Sequence, residues 1–401
     1  MNYNETVEYI HSLKKFHKKA TLDEMRAVMD KLGCDYNNLK FIHVAGTNGK
    51  GSVSNMLANI ALNEGLKVGL FTSPYIICFR ERIKVNGQMI PEDALVRLSQ
   101  RIIKAGIDIK EFEFITALAL LYFEECGCDL VILECGMGGR DDSTNIISSP
   151  LASVITHIGL DHTAILGNTV AEIAAQKFGI AKKNCPLIIA PNQPNEALEV
   201  LNREAVICDA DSIKILKSDF TGSSFIYGGT EFRINMAGEF QIDNAVCAIE
   251  TAKCVGLGID SIKKGIAETK VPARVEVISE NPAVIIDGAH NPDGANALKN
   301  VVKNIKGEKT AVVAMVNDKD IENVLNILLP EFDNIICTEI ADNPRSLSAE
   351  ELCGVAKKYK KNISVAKRSS SAVEKALALN TSVVIFGSLY LASKVRRLFK
   401  K

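Results

Sequence analysis

Short apolar runs separated by helix-patterned segments recur along this chain, and that rhythm restricts the possible folds more than any other feature. Phe41 to Ala45, Val68 to Phe71, Leu130 to Glu134, Ala152 to Thr156 and Leu187 to Ala190 read as buried strands. Their spacing predicts a mostly parallel sheet covered by helices. A second series, Ala283 to Asp287, Thr310 to Met315, Asn334 to Thr338, Ile363 to Ala366 and Ser382 to Phe386, predicts a second doubly wound unit. Between the two series lie a polar, Gly-containing stretch from Asp211 to Gly238, a helix around Asn244 to Val255, and the segment Val271-Pro-Ala-Arg274. A boundary near residue 280 follows, giving an α/β domain over 1–279 and a smaller α/β domain over 280–401.

The length of 401 residues is enough for two domains, each with its own core. Lys plus Arg number 47 against 48 Asp plus Glu, so no basic excess exists to recruit nucleic acid or an anionic membrane. Small-molecule partners are expected instead. The 11 Cys include no CxxC pair and no Cys/His cluster, which argues against a zinc site or a disulfide framework and fits reduced thiols. No cationic segment leads into an apolar run at the start, and no apolar stretch reaches the roughly 18 residues of a membrane span. A soluble cytoplasmic protein is the resulting expectation, and a monomer is expected alongside it.

The strongest local signal is Phe41-Ile-His-Val-Ala-Gly-Thr-Asn-Gly-Lys50-Gly-Ser52, an apolar strand entering a Gly-rich turn and then a helix from around Val53. Backbone amides of Gly46, Thr47, Asn48, Gly49, Gly51 and Ser52 can wrap phosphate oxygens, the helix N-terminus adds partial positive charge, and Lys50 can reach the terminal phosphates. The pattern departs from GxxxxGK[ST]: Val44 stands at the first Gly, Gly51 at the hydroxyl position, and Ser52 one place later. Glu134 ends an apolar strand and leads into Gly136, Gly138 and Gly139, which puts a carboxylate at the sheet edge where open α/β folds bind ligands.

Ala45-Gly-Thr-Asn-Gly-Lys-Gly-Ser52 resembles the phosphate loop of the folylpolyglutamate synthase and dihydrofolate synthase family, within the Mur ligase superfamily. The resemblance continues in order through Thr72-Ser-Pro74, Glu81 to Gly87, Phe112-Glu113, Leu133-Glu-Cys-Gly-Met-Gly-Gly-Arg140, Asp142 to Asn145, Ile158-Gly-Leu-Asp-His-Thr163, Asp287-Gly-Ala-His-Asn-Pro292 and Phe386-Gly-Ser-Leu-Tyr390. It implies a P-loop Mur-ligase-type ATPase domain followed by a Rossmann-like domain. The implied activity is ATP-dependent addition of L-glutamate to a carboxylate of folate or dihydropteroate. Mur ligases that build peptidoglycan precursors carry a separate UDP-sugar domain before the phosphate loop, whereas only about 40 residues precede Gly46 here. A nucleotide-binding regulatory protein without turnover would account for the phosphate loop, but not for the remaining signatures.

A carboxylate must be activated before an amine can attack it, and phosphorylation by ATP brings two anions together. Mg2+ and cationic side chains are needed to offset that repulsion. By resemblance, Ser73, Glu134 and His162 are the Mg2+ ligands, although on its residue type alone His162 reads as a general base or a satisfied loop histidine. Lys177 matches a lysine the family carries in carbamylated form; its other reading is a surface helix lysine. Gln176 and Phe178 replace a Glu and an Ala usual beside it. Asn244 resembles the adenine-contacting Asn, with a helix-start cap as the alternative. Arg274 matches an ATP-binding Arg, with Ala273 replacing a usual Gly, and Asp287 and His290 are placed by the family at the ATP cleft. Lys50, Lys177 and His290 thus form the expected catalytic set. Arg82, Phe112, Arg140, Lys319 and Ser388 are candidate substrate contacts, with Lys84 and Arg345 as further cations and Phe79 as a second aromatic.

Overall fold

The computed structural model describes residues 1–14, 21–201 and 203–399. Chain contacts divide it into two compact units. The first comprises Met1–Asp211 and Asp243–Thr269, the second Ser212–Ile242 and Lys270–Lys401.

In the first unit the strands β1 (Phe41–Ala45), β2 (Val68–Phe71), β3 (Ile83–Val85), β4 (Gln88–Met89), β5 (Leu130–Glu134), β6 (Ala152–Ile155), β7 (Leu187–Ile189) and β8 (Val206–Ile207) form one sheet in the order β4-β3-β2-β5-β1-β6-β7-β8. The six strands from β2 to β8 in that order are parallel, and β3 and β4 add an antiparallel edge. Every residue of β1, β2, β5 and β6 is buried, as strands covered on both faces must be. The continuous apolar runs are therefore strands, as their pattern predicts.

Two close approaches explain glycines that interrupt the apolar pattern. A Cβ at Gly69 on β2 would lie 2.8 Å from the ring of Phe123, on the helix Glu111–Cys126 that covers the sheet. A Cβ at Gly265 would lie 2.4 Å from the backbone nitrogen of Ile60, so the helices Lys50–Asn63 and Ile259–Glu268 meet backbone to backbone. That contact clamps the helix that follows the phosphate loop.

In the second unit, β9 (Lys214–Asp219), β10 (Gly222–Tyr227) and β11 (Thr230–Ile234) make an antiparallel meander, and β12 (Glu276–Glu280), β13 (Ala283–Ile286), β14 (Lys309–Val313), β15 (Asn334–Cys337), β16 (Ile363–Val365) and β17 (Ser382–Phe386) form a sheet in the order β12-β13-β17-β14-β15-β16. All of the latter are parallel except β12. The meander occupies the stretch read from sequence as polar and Gly-containing. β9 buries none of its residues, and the apolar residues buried by β10 and β11, Phe225, Tyr227, Phe232 and Ile234, alternate with less buried ones, so no continuous apolar run marks these strands. The contact division falls between Thr269 and Lys270, ahead of the boundary placed near residue 280, because β12 pairs with β13 across that boundary.

Candidate active site

Strands β2, β5, β1 and β6 are adjacent and parallel, so the loops that leave their carboxyl ends gather along one edge. The phosphate loop after β1 is anchored to the segment after β6. Thr47 and Asn48 N–H donate to the His157 carbonyl at 2.8 and 3.2 Å, and the Thr156 hydroxyl donates to the Asn48 carbonyl at 2.7 Å. Gly46 (φ 152°) and Gly49 (φ 92°) are required by space as well as by backbone: a Cβ would lie 1.8 Å from Thr156 Oγ1 at the first and 2.2 Å from Asn244 Oδ1 at the second. The helix begins at Lys50 rather than around Val53, since the left-handed Gly49 ends the turn and its carbonyl accepts from Val53 N–H at 2.9 Å.

Lys50 folds over its own loop, with Nζ donating to the carbonyls of Gly46 and Thr47 at 3.0 and 3.2 Å. Lys177 also donates to the Gly46 carbonyl, at 2.8 Å. It is only 3% exposed, which overturns the surface-lysine reading. Burial, followed by the charge of Lys50, pushes its pKa down to about 7. A large fraction of this amine is therefore neutral and nucleophilic near neutral pH.

The Lys177 helix, Val170–Lys177, starts at a capping box between Thr169 and Glu172. Its carboxyl end is gripped by the loop after β5. A Cβ at Gly139 would lie 2.8 Å from the Lys177 carbonyl oxygen, and Arg140 N–H donates to the Gln176 carbonyl at 2.8 Å. The Arg140 guanidinium donates to the Ala175 carbonyl at 3.0 Å, a cation on a helix carboxyl end. Gln176 thus takes part through its backbone.

Glu134, 3% exposed, accepts from Ser73 N–H at 3.3 Å, while Ser73 Oγ accepts from Arg82 at 2.8 Å. Gly51 faces the same carboxylate, its would-be Cβ lying 3.8 Å from Glu134 Oε2. The Arg82 guanidinium lies over the rings of Tyr75 (5.1 Å) and Phe79 (5.8 Å), and Phe79 itself is core. Phe112 is half-buried and packs on Gly136, where a Cβ would lie 2.4 Å from its ring. His162 is exposed and left-handed (φ 52°), with Nε2 3.9 Å from Asp161. It shares a pocket with Gly46, Lys50, Gly136 and Lys177. Ser73 and Glu134 are thus brought together, while His162 lines that pocket. Among the described residues no group of three or more His, Cys, Asp or Glu side chains could hold a metal ion. Asn244 is buried inside the helix Phe240–Cys254 with its amide against Gly49, so it is not a helix-start cap.

In the second unit, Asp287, 6% exposed, accepts from the N–H groups of Val275 and Ala289, both at 2.7 Å. Burial pushes its carboxyl up, opposed by the nearby Arg274 charge and these hydrogen bonds. The turn carrying Arg274 has two left-handed residues, Ala273 (φ 55°) and Val275 (φ 49°), which gives a physical reason for a Gly at 273 in the family pattern. His290 Nδ1 lies 2.7 Å from the Gly288 carbonyl, so that nitrogen carries the proton. Ser388 caps the helix Leu389–Arg396. Arg345 pairs with Asp318 at 3.0 Å and reaches the Tyr390 hydroxyl at 3.1 Å, and its backbone carbonyl accepts from Asn317 N–H. The Asn317–Asp320 segment with Lys319 and the residues Asp287, His290 and Ser388 all follow carboxyl ends of neighbouring strands, β14, β13 and β17.

A sequence model described as the Mur ligase middle domain matches residues 44–252, and one described as the dihydrofolate synthetase C-terminal domain matches 273–398. A folylpolyglutamate synthase of Lacticaseibacillus casei is 35% identical, over 99% of this chain and 98% of its own. The chain belongs to the folylpolyglutamate synthase and dihydrofolate synthase family. Another relative, a dihydrofolate synthase/folylpolyglutamate synthase of Bacillus subtilis, is 34% identical over 99% of both chains. Among solved structures, a Mycobacterium tuberculosis folylpolyglutamate synthase complexed with ADP and AMPPCP matches with a TM-score of 0.88 at 28% identity, covering 100% of this chain and 99% of that one. An E. coli FolC in complex with DHPP and ADP matches with a TM-score of 0.89 at 29% identity, covering 99% and 97%.

Within this family member, sequence reasoning missed Thr156, which blocks any side chain at Gly46 and ties down Asn48. Its only signal is a hydroxyl at the end of the β6 run. It also assigned no role to His43, Asp142 or Thr144, although Asp142 and Thr144 fall within a quoted signature.

Proposed function

We propose that this chain is an ATP-dependent carboxylate–amine ligase that joins L-glutamate to a folate-type carboxylate through an acyl phosphate, releasing ADP and phosphate. The observation that carries this reading is the convergence of Lys50, Lys177 and the loop residues Gly46 and Thr47 around one pocket in a chain of this family. The amides and the helix N-terminus take the ATP phosphates, and Lys50 moves from its own loop carbonyls onto the terminal phosphate. Asn244, already against Gly49, supplies donor and acceptor to the adenine.

A hard cation suits two oxygen donors, the buried Glu134 carboxylate that faces Gly51 and the hydroxyl of the adjacent Ser73, with His162 as the additional donor the sequence resemblance implies. When bound, Mg2+ supplies charge neutralisation at the transferring phosphoryl. Lys177, neutral in part near pH 7, can react with CO2, and the resulting carbamate would replace a cation with an anion next to Gly46. Arg82, held by Ser73, and Phe112, on Gly136, suit the carboxylate and ring portions of the acceptor, while Arg140 serves mainly to hold the Lys177 helix. Arg274, Asp287 and His290 serve the nucleotide, with Asp287 acting through the turn that bears Arg274. Lys319 and Ser388, with Arg345, suit the glutamate carboxylates. The chain works as a cytoplasmic monomer; no helix among the described residues is long and apolar enough to cross a membrane.

The test is product analysis by mass spectrometry with dihydropteroate and with tetrahydrofolate, each with ATP, Mg2+ and glutamate. Relatives are named for either or both activities, and the two reactions distinguish the acceptor. ADP should form only when acceptor and glutamate are both present, and hydroxylamine should trap the activated acyl group. ATP binding without product from any pteroate or folate combination would overturn the reading.

A further inference from the structure

His43 is out of place chemically. It occupies the middle of β1, fully buried, between Leu133 of β5 and Ser153 of β6, in a position where parallel strands carry aliphatic side chains. Burial pushes its pKa down to about 3, so the ring is neutral at working pH. Its Nε2 lies 2.8 Å from Thr144 Oγ1 and 3.1 Å from Cys135 Sγ, while Nδ1 is buried with no hydrogen-bond partner among the described residues. An imidazole with one orphaned nitrogen is costly, and such a group asks for an explanation.

The hydroxyl of Thr144 resolves the proton positions. It has two acceptors, Asp142 Oδ1 at 2.6 Å and Cys135 Sγ at 3.4 Å; donating to the nearer carboxylate, it accepts from His43, which puts the proton on Nε2 and leaves Nδ1 as the bare lone pair. Asp142, buried at 7% exposure, also accepts from Thr144 N–H at 3.0 Å and from Met137 N–H at 2.9 Å. Through Met137 this carboxylate holds the loop whose Gly139 and Arg140 grip the end of the Lys177 helix. Strand β1 therefore reaches Lys177 by two routes. One is direct, from the Gly46 carbonyl to Nζ; the other runs from His43 through Thr144 and Asp142 to the loop after β5.

We propose that Thr144 and His43 are positioning residues for the ligase reaction: the Thr144 hydroxyl, sandwiched between His43 Nε2–H and the Asp142 carboxylate, sets the placement of Lys177 relative to the phosphate loop. This rests on the reading of Lys177 and the Gly46–Ser52 loop as active-site groups. Between His43 and Asp142 this hydroxyl accepts on one side and donates on the other, so a methyl in its place breaks both links without changing side-chain volume much.

The test compares Thr144→Val and Thr144→Ser in the full-length protein, after wild-type ligase turnover has been measured. Absence of turnover in the wild type would defeat the proposed function itself, separately from this inference. Thr144→Val should lower kcat by about 10- to 100-fold with the KM for ATP held within about threefold, as expected for a misplaced group rather than a lost nucleotide contact. Thr144→Ser, which keeps the hydroxyl, should restore kcat to within a few-fold of the wild type. Nitrogen NMR of labelled histidine should show His43 as the neutral Nε2–H tautomer in the wild type and in Thr144→Ser, down to about pH 4. This last readout stands if Thr144→Val does not fold. Wild-type kcat in a folded Thr144→Val protein, equal losses in the Ser and Val variants, or an Nδ1–H tautomer in the wild type would each overturn the inference.

Discussion

Replacing Lys177 by Met removes a buried amine whose titration the fold has displaced, and the displacement predicts a pH signature. In the unfolded chain the amine keeps its ordinary pKa of 10.5, and in the native state burial and the Lys50 charge lower it to about 7. Below pH 7 both states hold the proton, and the native state bears the full penalty of burying it. Between 7 and 10.5 the unfolded state binds the proton and the native state does not, so stability rises with pH by about 1.4 kcal/mol per unit. Above 10.5 neither state is charged and the curve is flat. Allowing for half-protonation of the native amine at its own pKa, the rise from pH 7 to pH 9 is about 2 kcal/mol. The amine is 3% exposed, so solvent screening takes little from this figure. Urea unfolding of the wild type and Lys177→Met in CO2-free buffer, followed by far-ultraviolet circular dichroism because the chain has no Trp, gives the difference at each pH. Taking the difference cancels the titrating groups that do not interact with Lys177. The wild type should gain on the variant by about 2 kcal/mol over that interval. Parallel curves would refute the desolvation argument, and with it the reason for expecting this amine to react with CO2.

Three further perturbations follow from the same geometry. Lys177→Ala should lose most of its ligase turnover, and intact-protein mass under native CO2-containing conditions should show one added CO2 on the wild type only; full activity of the variant would remove the carbamate role. Gly49→Ala places a methyl 2.2 Å from Asn244 Oδ1 at φ 92°, so the ATP Kd measured by calorimetry should rise by at least about 10-fold. Ala273→Gly relieves a left-handed alanine (φ 55°) and should leave the protein as stable or more stable by up to about 1 kcal/mol, read from the unfolding midpoint.

The central strands were legible because β1, β2, β5, β6 and β17 are buried along their whole length and β14 at every residue after Lys309, and a strand wet on neither face announces itself as an apolar run. The meander β9–β11 was not, since β9 exposes Lys214 to Lys217 and the pairing that makes it a strand comes from β10. A polar segment carries no record of a partner that lies across a turn. The same divide runs through the site. Gly46 and Gly49 could be read as a phosphate grip from local pattern alone, but the side chains that demand glycine there, Thr156 and Asn244, arrive from more than a hundred residues away.

Lys177 is the sharpest case of this divide, because its lowered pKa comes chiefly from burial and nothing near it in sequence dictates burial. The helix Val170–Lys177 would read as amphipathic with a terminal lysine, and a terminal lysine ordinarily reaches solvent. Here Gly139 lets the loop after β5 close onto the Lys177 carbonyl, and Gly179 lets the Arg140 backbone come within 2.5 Å of where its own Cβ would stand. Two missing side chains thus bring the helix end inward until Nζ meets the Gly46 carbonyl. The two departures from the family pattern beside it, Gln176 and Phe178, matter less than their type suggests: Gln176 contributes its carbonyl to Arg140, and Phe178 packs with the apolar cluster around Ile173 and Ile180. A backbone acceptor is indifferent to the side chain that carries it. The altered neighbours therefore leave intact the burial and the Lys50 charge that depress the Lys177 pKa.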